Sequence, residues 1–392
     1  MKVLYANPIF LDYRLPFYEE LNKHFEGNFY IMYSENRYIG RYDSLLKRIK
    51  NEMKDNAIPF KGEHLFDTAT MSFKRVEIEH GQKIPFLHGF LRTIRKYKPD
   101  VLITEGFFQW TPMVILYSLL YKIPVFMGYE RTMHTERNCN LIKKIHRKLT
   151  DKFITGYLVN GIETERYLLS LGVKPEKIKI GGMSADGSGL SERIKKIAPK
   201  LLSELKRKYK NPDGITFLFC GRCVYNKGVT FLLEAWEKHI KRYSKDNIII
   251  LGGGDLVDNL KEKYKIENSI HIIGGVEYSE VYKYYAIADV FILPTLQDNW
   301  SLVIPEAMSC GLPVATSIYN GCYPELIQKD VNGIVFDTLK QDSLINTLSY
   351  FHSCDLKTMG EHSKEIEKSY NTENCALREY NGIISILKNK GL

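Results

Sequence analysis

Ile248-Ile249-Ile250-Leu251-Gly252-Gly253-Gly254-Asp255 is a run of four large apolar residues that ends in three glycines. An unbroken apolar run of this length, closed by turn residues, reads as a strand covered on both faces. Working outward, comparable strands are expected at 215–220, 270–273, 290–293, 313–316 and 333–336, with helical segments between nearly all of them. Strands joined by crossover helices belong in a parallel sheet, with ligands met at the carboxyl ends of the strands. The first half repeats the alternation, with strands expected at 2–6, 29–33, 101–104, 124–127 and 153–159 and a helix carrying Leu15, Tyr18, Leu21 and Phe25 on one side. The pattern lapses between 184 and 213, where Gly187 and Gly189 lead into a basic stretch ending at Lys210. The reading is therefore an α/β chain with an N-terminal domain over 1–190, a linker over 191–212 and a second domain over 213–370. A final amphipathic helix over 371–392, with Leu377, Tyr380, Ile383, Ile384 and Leu387 on one side, is free to pack back on the N-terminal domain.

Length and composition agree with two soluble cores: 392 residues, 44% hydrophobic and 26% charged. The start lacks a basic segment followed by a long apolar one, and the most apolar stretch, 111–129, is broken by Lys122 and Pro124, so neither a secretion signal nor a membrane span is expected. Seven scattered cysteines lack the spacing of a disulfide framework, which favours a reducing cytoplasm; Cys220 and Cys223 form one Cys-x-x-Cys without a second pair to complete a zinc site. Charge is uneven. Residues 1–200 hold 33 Lys plus Arg against 22 Asp plus Glu, and the remaining 22 basic and 24 acidic residues leave the second half at −2. The basic half, with Lys143, Lys144, His146, Arg147 and Lys148 clustered, fits either a solvated helix end or a peripheral contact with an anionic membrane surface. No helix-turn-helix, zinc-finger or aromatic-plus-Arg strand pattern supports nucleic-acid binding.

Chemistry concentrates in Asp298-Asn299-Trp300-Ser301-Leu302-Val303-Ile304-Pro305-Glu306-Ala307-Met308-Ser309-Cys310-Gly311-Leu312-Pro313-Val314. Two carboxylates eight residues apart bracket a loop-to-helix junction, so one can point at a ligand while the helix start offers free N–H groups to a phosphate. Upstream, Gly221-Arg222-Cys223-Val224-Tyr225-Asn226-Lys227-Gly228 follows a strand and supplies a planar guanidinium and a compact ammonium. Gly253 and Val276 lie just beyond two further strand ends. In the first half, the loop 128–138 after a strand is dense in polar groups and contains Glu130, Arg131 and His134.

These segments resemble the retaining GT-B glycosyltransferases grouped in family 4. Asp298 and Glu306 fit that family's Glu-x7-Glu signature, with Asp in place of the first Glu, and the 221–228 segment is similar to its Gly-Arg, four-residue gap, Lys-Gly element. The resemblance covers the second domain well and the first loosely. It implies two Rossmann-like domains whose parallel sheets face across a cleft, and transfer of a hexose-type sugar from a UDP- or GDP-sugar to a glycan or lipid-linked acceptor in cell-surface polysaccharide biosynthesis. It further implies no cofactor and no metal, the nucleotide diphosphate sugar being the donor substrate. Residue by residue it assigns Arg222 and Lys227 to the diphosphate, Asp298 to donor-sugar hydroxyls, Glu306 to the ribose and His134 to the transferred sugar. Gly221, Gly253, Val276, Leu302 and Val303 would supply backbone contacts to the nucleotide. Two other readings share the fold: a catalytically silent nucleotide- or glycan-binding partner of another transferase, and a sugar-nucleotide 2-epimerase.

Overall fold

A computed structural model describes residues 1–9, 14–38, 49–67, 72–74, 83–184 and 187–392. The chain divides into two units, residues 1–182 with 372–392, and residues 183–371.

Among the described residues of the first unit, ten strands form: β1 (Val3–Ala6), β2 (Phe29–Ser34), β3 (Ala57–Phe60), β4 (Glu63–Asp67), β5 (Ser72–Lys74), β6 (Lys83–Leu87), β7 (Val101–Glu105), β8 (Val125–Tyr129), β9 (Gly156–Val159) and β10 (Ile178–Ile180). Seven of them make a parallel sheet in the order β10-β9-β8-β7-β1-β2-β3. β1 sits where the order reverses, pairing Val3 with Phe29 on one side and with Val101 on the other. Every residue of β1 is buried, as a strand with helices on both faces requires. β5-β4-β6 form a separate antiparallel sheet. It is anchored to the rest of the unit by Glu63, whose fully buried carboxylate accepts Arg37 in a fork at 2.9 and 2.7 Å and the Trp110 indole N–H at 2.9 Å. Pairing of this kind is what makes a buried charge tolerable.

The final helix Thr372–Asn389 belongs to this unit and packs along the helix Leu15–His24. Tyr380 stacks on His24 at 5.4 Å and meets Phe25 edge-on at 5.0 Å, while Arg378 donates to the Gly181 carbonyl at 3.0 Å.

The second unit is one six-stranded parallel sheet, β13-β12-β11-β14-β15-β16, built from β11 (Thr216–Cys220), β12 (Asn247–Leu251), β13 (Ile270–Gly274), β14 (Val290–Leu293), β15 (Val314–Ser317) and β16 (Gly333–Phe336). The chain runs outward from β11 through β12 to β13 and then returns to β14 on the other side of β11. Loops leaving the carboxyl ends of β11 and β14 therefore part in opposite directions, which is where open α/β sheets form a crevice.

Two expectations need correction. The unit boundary falls at Gly182/Met183, and residues 191–212 are not a linker: they lie largely within helices Gly187–Lys195 and Pro199–Tyr209. Leu190, fully buried, and Tyr209 belong to the core of the second unit, so this basic stretch is amphipathic structure rather than a spacer. In the basic cluster, Arg147 is buried and pairs with Glu136 at 2.8 Å, leaving Lys143, Lys144 and Lys148 as its exposed cations.

Trp236, on the helix Val229–His239, is fully buried against Phe217 of β11 and donates its indole N–H to Ser269 Oγ at 3.0 Å. Trp236→Ala should cost about 3–5 kcal/mol, read as a lower urea midpoint for the second unit; an unchanged midpoint would contradict this packing.

Candidate active site

The site begins with backbone that no side chain separates. After Cys220 ends β11, Gly221 donates to the Leu251 carbonyl at 2.9 Å and Cys223 to the Gly253 carbonyl at 2.8 Å. Gly252, at φ +140°, lies so close to this loop that a Cβ would sit 1.9 Å from the Gly221 oxygen. Only glycine permits that approach. Gly252 in turn donates to the Gly274 carbonyl at 2.9 Å, so the carboxyl ends of β11, β12 and β13 are joined edge to edge. Arg222 leaves this floor with an exposed side chain, and its guanidinium makes no hydrogen bond or ion pair with the described residues. Gly253 is exposed at the same edge, and half-buried Val276 follows β13 and packs on the core.

A second close approach joins the loops after β11 and β14. Gly228, at φ +70°, has the Pro294 oxygen 1.9 Å from where its Cβ would lie. Leu296 N–H and Thr295 Oγ1 donate to the Asn226 carbonyl at 2.8 and 3.1 Å. This stitching brings Lys227 to Asp298, 71 residues away in sequence, and the two form an ion pair. The Ser301 hydroxyl donates to the same carboxylate oxygen, and the Trp300 N–H reaches the other at 3.3 Å. The Asp298 backbone is held too, its N–H by the Tyr319 carbonyl at 3.1 Å and its carbonyl by the Gly321 N–H at 3.0 Å. The two side chains are only 20% and 16% exposed, so the pair is partly withdrawn from water yet reachable.

Glu306 projects from the helix Val303–Ser309 and is buried; Tyr278 donates to its Oε1 at 3.0 Å and Tyr285 to its Oε2 at 3.2 Å. Burial, reinforced by the Glu306 charge, pushes the Cys220 thiol up to about 12, and burial alone pushes Cys223 up to about 11. Cys223 donates to the Gly252 carbonyl at 3.2 Å. These are structural thiols held in the protonated form, not a redox couple. The N–H groups of Leu302 and Val303, at the start of the helix, have no acceptor among the described residues.

Of the residues singled out in the sequence, the structure brings Lys227 and Asp298 into contact. It places Gly221, Gly253, Val276, Leu302, Val303 and Glu306 at or just beyond the carboxyl ends of the same sheet. His134 lies in the first unit, in a turn after β8 closed by Thr132 and Thr135, and its carbonyl accepts Arg137 at 2.6 Å. In that unit, at strand ends, Arg14 lies 3.9 Å from Glu105 and 3.6 Å from Glu130, and Tyr5 donates to Glu105. Sequence reading did not find Tyr278, Tyr285 or Glu105. Ser301 carried a usable signal, because a serine three residues after an aspartate at a helix entrance commonly bonds back to it.

Residues 203–369 match the family described as glycosyl transferases group 1. An uncharacterised glycosyltransferase of Methanocaldococcus jannaschii is 32% identical over 135 residues, 34% of each chain. The alpha-monoglucosyldiacylglycerol synthase of Acholeplasma laidlawii is 24% identical over 309 residues, covering 72% of this chain and 74% of that one. The alignments span 34% and 51% of the first curated relatives' own lengths. Anabaena HepE, solved in complex with UDP, shares the fold at a TM-score of 0.75 and 14% identity, covering 99% of this chain and 100% of that one. Residues 203–369 are thus similar to the glycosyl transferases of group 1, and the chain shares the GT-B fold.

Proposed function

We propose that the protein is a retaining, metal-independent glycosyltransferase that moves a hexose-type sugar from a UDP- or GDP-sugar to a glycan or lipid-linked acceptor. The observation that carries this is the meeting of Lys227 with Asp298, beside glycine-lined strand ends, within the segment that matches the family. Lys227 spends one of its three N–H donors on Asp298 and keeps two for a phosphate oxygen. Arg222, unengaged by the described residues, offers a planar fork to the same diphosphate. The N–H groups of Leu302 and Val303 add uncommitted donors. Fixed donors aimed at the charge that grows on a departing diphosphate are the usual main contribution of such a site.

On this reading the bond from the anomeric carbon to the diphosphate oxygen breaks through an oxocarbenium-like transition state. The acceptor hydroxyl attacks from the same face, and its proton passes to the departing diphosphate. Asp298, held at both oxygens and at both backbone groups, orients donor hydroxyls. Glu306 takes the ribose, the exposed Tyr278 giving way while the buried Tyr285 keeps the carboxylate in place. The family resemblance assigns His134 to a hydroxyl of the transferred sugar. Anabaena HepE was solved with UDP-glucose, which favours a UDP donor. The Acholeplasma relative is named for a glycolipid product, which favours a lipid-linked acceptor. The helix Leu141–Asp151 supports a peripheral contact with an anionic membrane: Leu141, Ile142, Ile145 and Leu149 are exposed, interleaved with Lys143, Lys144 and Lys148.

A UDP-sugar, at a concentration well above its Kd, should raise the melting midpoint, and nucleoside diphosphate should be released only when acceptor is present. Binding without release would favour the silent-partner reading, and conversion of the donor without acceptor the epimerase. Asp298→Asn and Lys227→Met should each lower kcat by about 10²-fold or more while the far-UV circular dichroism stays that of the wild type. A chelator should leave the initial rate of the folded enzyme unchanged; its loss would overturn the metal-independent mechanism.

For the membrane contact, flotation with vesicles containing phosphatidylglycerol should capture the protein at low salt. Ile142→Asp combined with Lys143→Glu and Lys144→Glu should abolish capture while leaving transfer to a water-soluble acceptor intact. Equal capture by neutral vesicles would refute the charge argument.

A further inference from the structure

At the opposite, amino-terminal edge of the second sheet, three side chains from separate segments converge. His239 ends the helix Val229–His239, Asp246 lies in the turn just before β12, and His352 lies in the short turn Phe351–Ser353 after the helix Gln341–Tyr350. Both histidine Nε2 atoms lie 2.8 Å from one oxygen, Asp246 Oδ2, and the three potential ligand atoms are all within 4.8 Å of one another. Among the described residues this is the one group of His, Cys, Asp and Glu side chains at metal-ligand spacing.

We propose that His239, Asp246 and His352 form a divalent-metal site, with zinc the ion that their donors fit best. Two imidazoles and a carboxylate are the nitrogen-and-oxygen set that suits zinc, with bond lengths of about 2.0–2.2 Å. A tetrahedral ion at those lengths needs donor atoms about 3.4 Å apart, so the two 2.8 Å approaches must open only slightly.

Each of the three side chains is held in place by a neighbour, Asp246 by a hydrogen bond and the two histidines by ring packing. The other Asp246 oxygen accepts the Ile215 N–H at 2.8 Å. The His352 ring lies flat on Tyr243 at 3.7 Å, and the His239 ring is wedged between Trp236 at 5.2 Å and the edge of Phe217 at 6.0 Å. Buried His239 Nδ1 has no hydrogen-bond partner, so without an ion the ring proton sits on Nε2 facing Asp246, and a bound cation would take that proton's place between the two. His239 and Asp246 are buried, whereas the His352 side chain is 24% exposed. That leaves a route for the ion and room for a water or another fourth ligand.

The five-residue strands of β11 and β12 span about 16 Å, which separates this group from Lys227 and Asp298 at their carboxyl ends. Its role is therefore to staple the end of one helix, the edge of the sheet and the turn after another helix, and it is independent of the transfer reaction proposed above.

Tag-free full-length protein, stripped with chelator and dialysed, should bind one equivalent of Zn2+ per chain by elemental analysis. Its melting midpoint should rise by about 4 °C or more at saturating zinc. Asp246→Asn and His352→Gln should lose both the equivalent and the shift, and His352→Gln, at the exposed edge, guards against a buried variant that fails to fold. Cys354→Ser should keep both. Co2+ in place of zinc should give visible bands without a thiolate charge-transfer band. The proposal is overturned if wild-type protein binds no zinc, if His352→Gln retains it, or if cobalt reports thiolate ligation.

Discussion

Where a Cβ would fall within about 2 Å of a neighbouring carbonyl oxygen only glycine can stand, and the second unit depends on that constraint. Gly228 against the Pro294 carbonyl and Gly252 against the Gly221 carbonyl draw the loops after β11, β12 and β14 into contact on a sheet whose order would otherwise send them apart. With a methyl group at Gly228, the loop carrying Lys227 would have to move away from the loop carrying Asp298. Charge pairing, burial of Glu306 and the chemistry that follows are all secondary to this fit. The glycines are therefore part of the binding machinery although they supply no functional group.

Within that frame, charge is arranged in two layers. Buried Glu306 is satisfied by two tyrosine hydroxyls, which hold a carboxylate beside the protonated Cys220 thiol without adding a cation. Nearer to solvent, Lys227 and Asp298 nearly cancel each other, so under the proposed function a diphosphate would share the ammonium with a resident carboxylate. Arg222 meets no such competitor among the described residues. Asp298 is one methylene shorter than the glutamate of the family signature. Its own backbone is clamped to the 319–321 segment, and the carboxylate is held by Ser301 and the Trp300 N–H. The shorter side chain thus belongs to a loop that is fixed at both its main chain and its acid.

Much of this was legible in the sequence, for identifiable reasons. In the second sheet β11 and β12 announced themselves because they are largely apolar runs closed by glycine, and the Lys227 and Asp298 segments stood out by spacing. The contact between those two did not, since the 71-residue separation is bridged only by folding. β3 and β6 were hidden by Pro59 and Pro85; in the wide sheet β3 takes the edge, where a missing N–H costs least. Helices over 187–209 were read as a linker because their many lysines masked the apolar stripe that holds Leu190 and Tyr209 in the core. Tyr278 and Tyr285 gave no signal, because a tyrosine that ligates a buried acid looks in sequence like any other tyrosine.

The placement of the helix Thr372–Asn389 has a consequence for biogenesis. The second unit is a continuous insertion within a first unit assembled from both ends of the polypeptide. Synthesis proceeds from the amino terminus, so the inserted unit can mature while the other still waits for its last helix, and until then Phe25 lacks its ring contact with Tyr380. Nascent chains halted shortly before residue 372 would carry a complete six-stranded sheet and an unfinished first unit. A quality-control protease would find its foothold in the first unit, on the half of the molecule that was translated earliest.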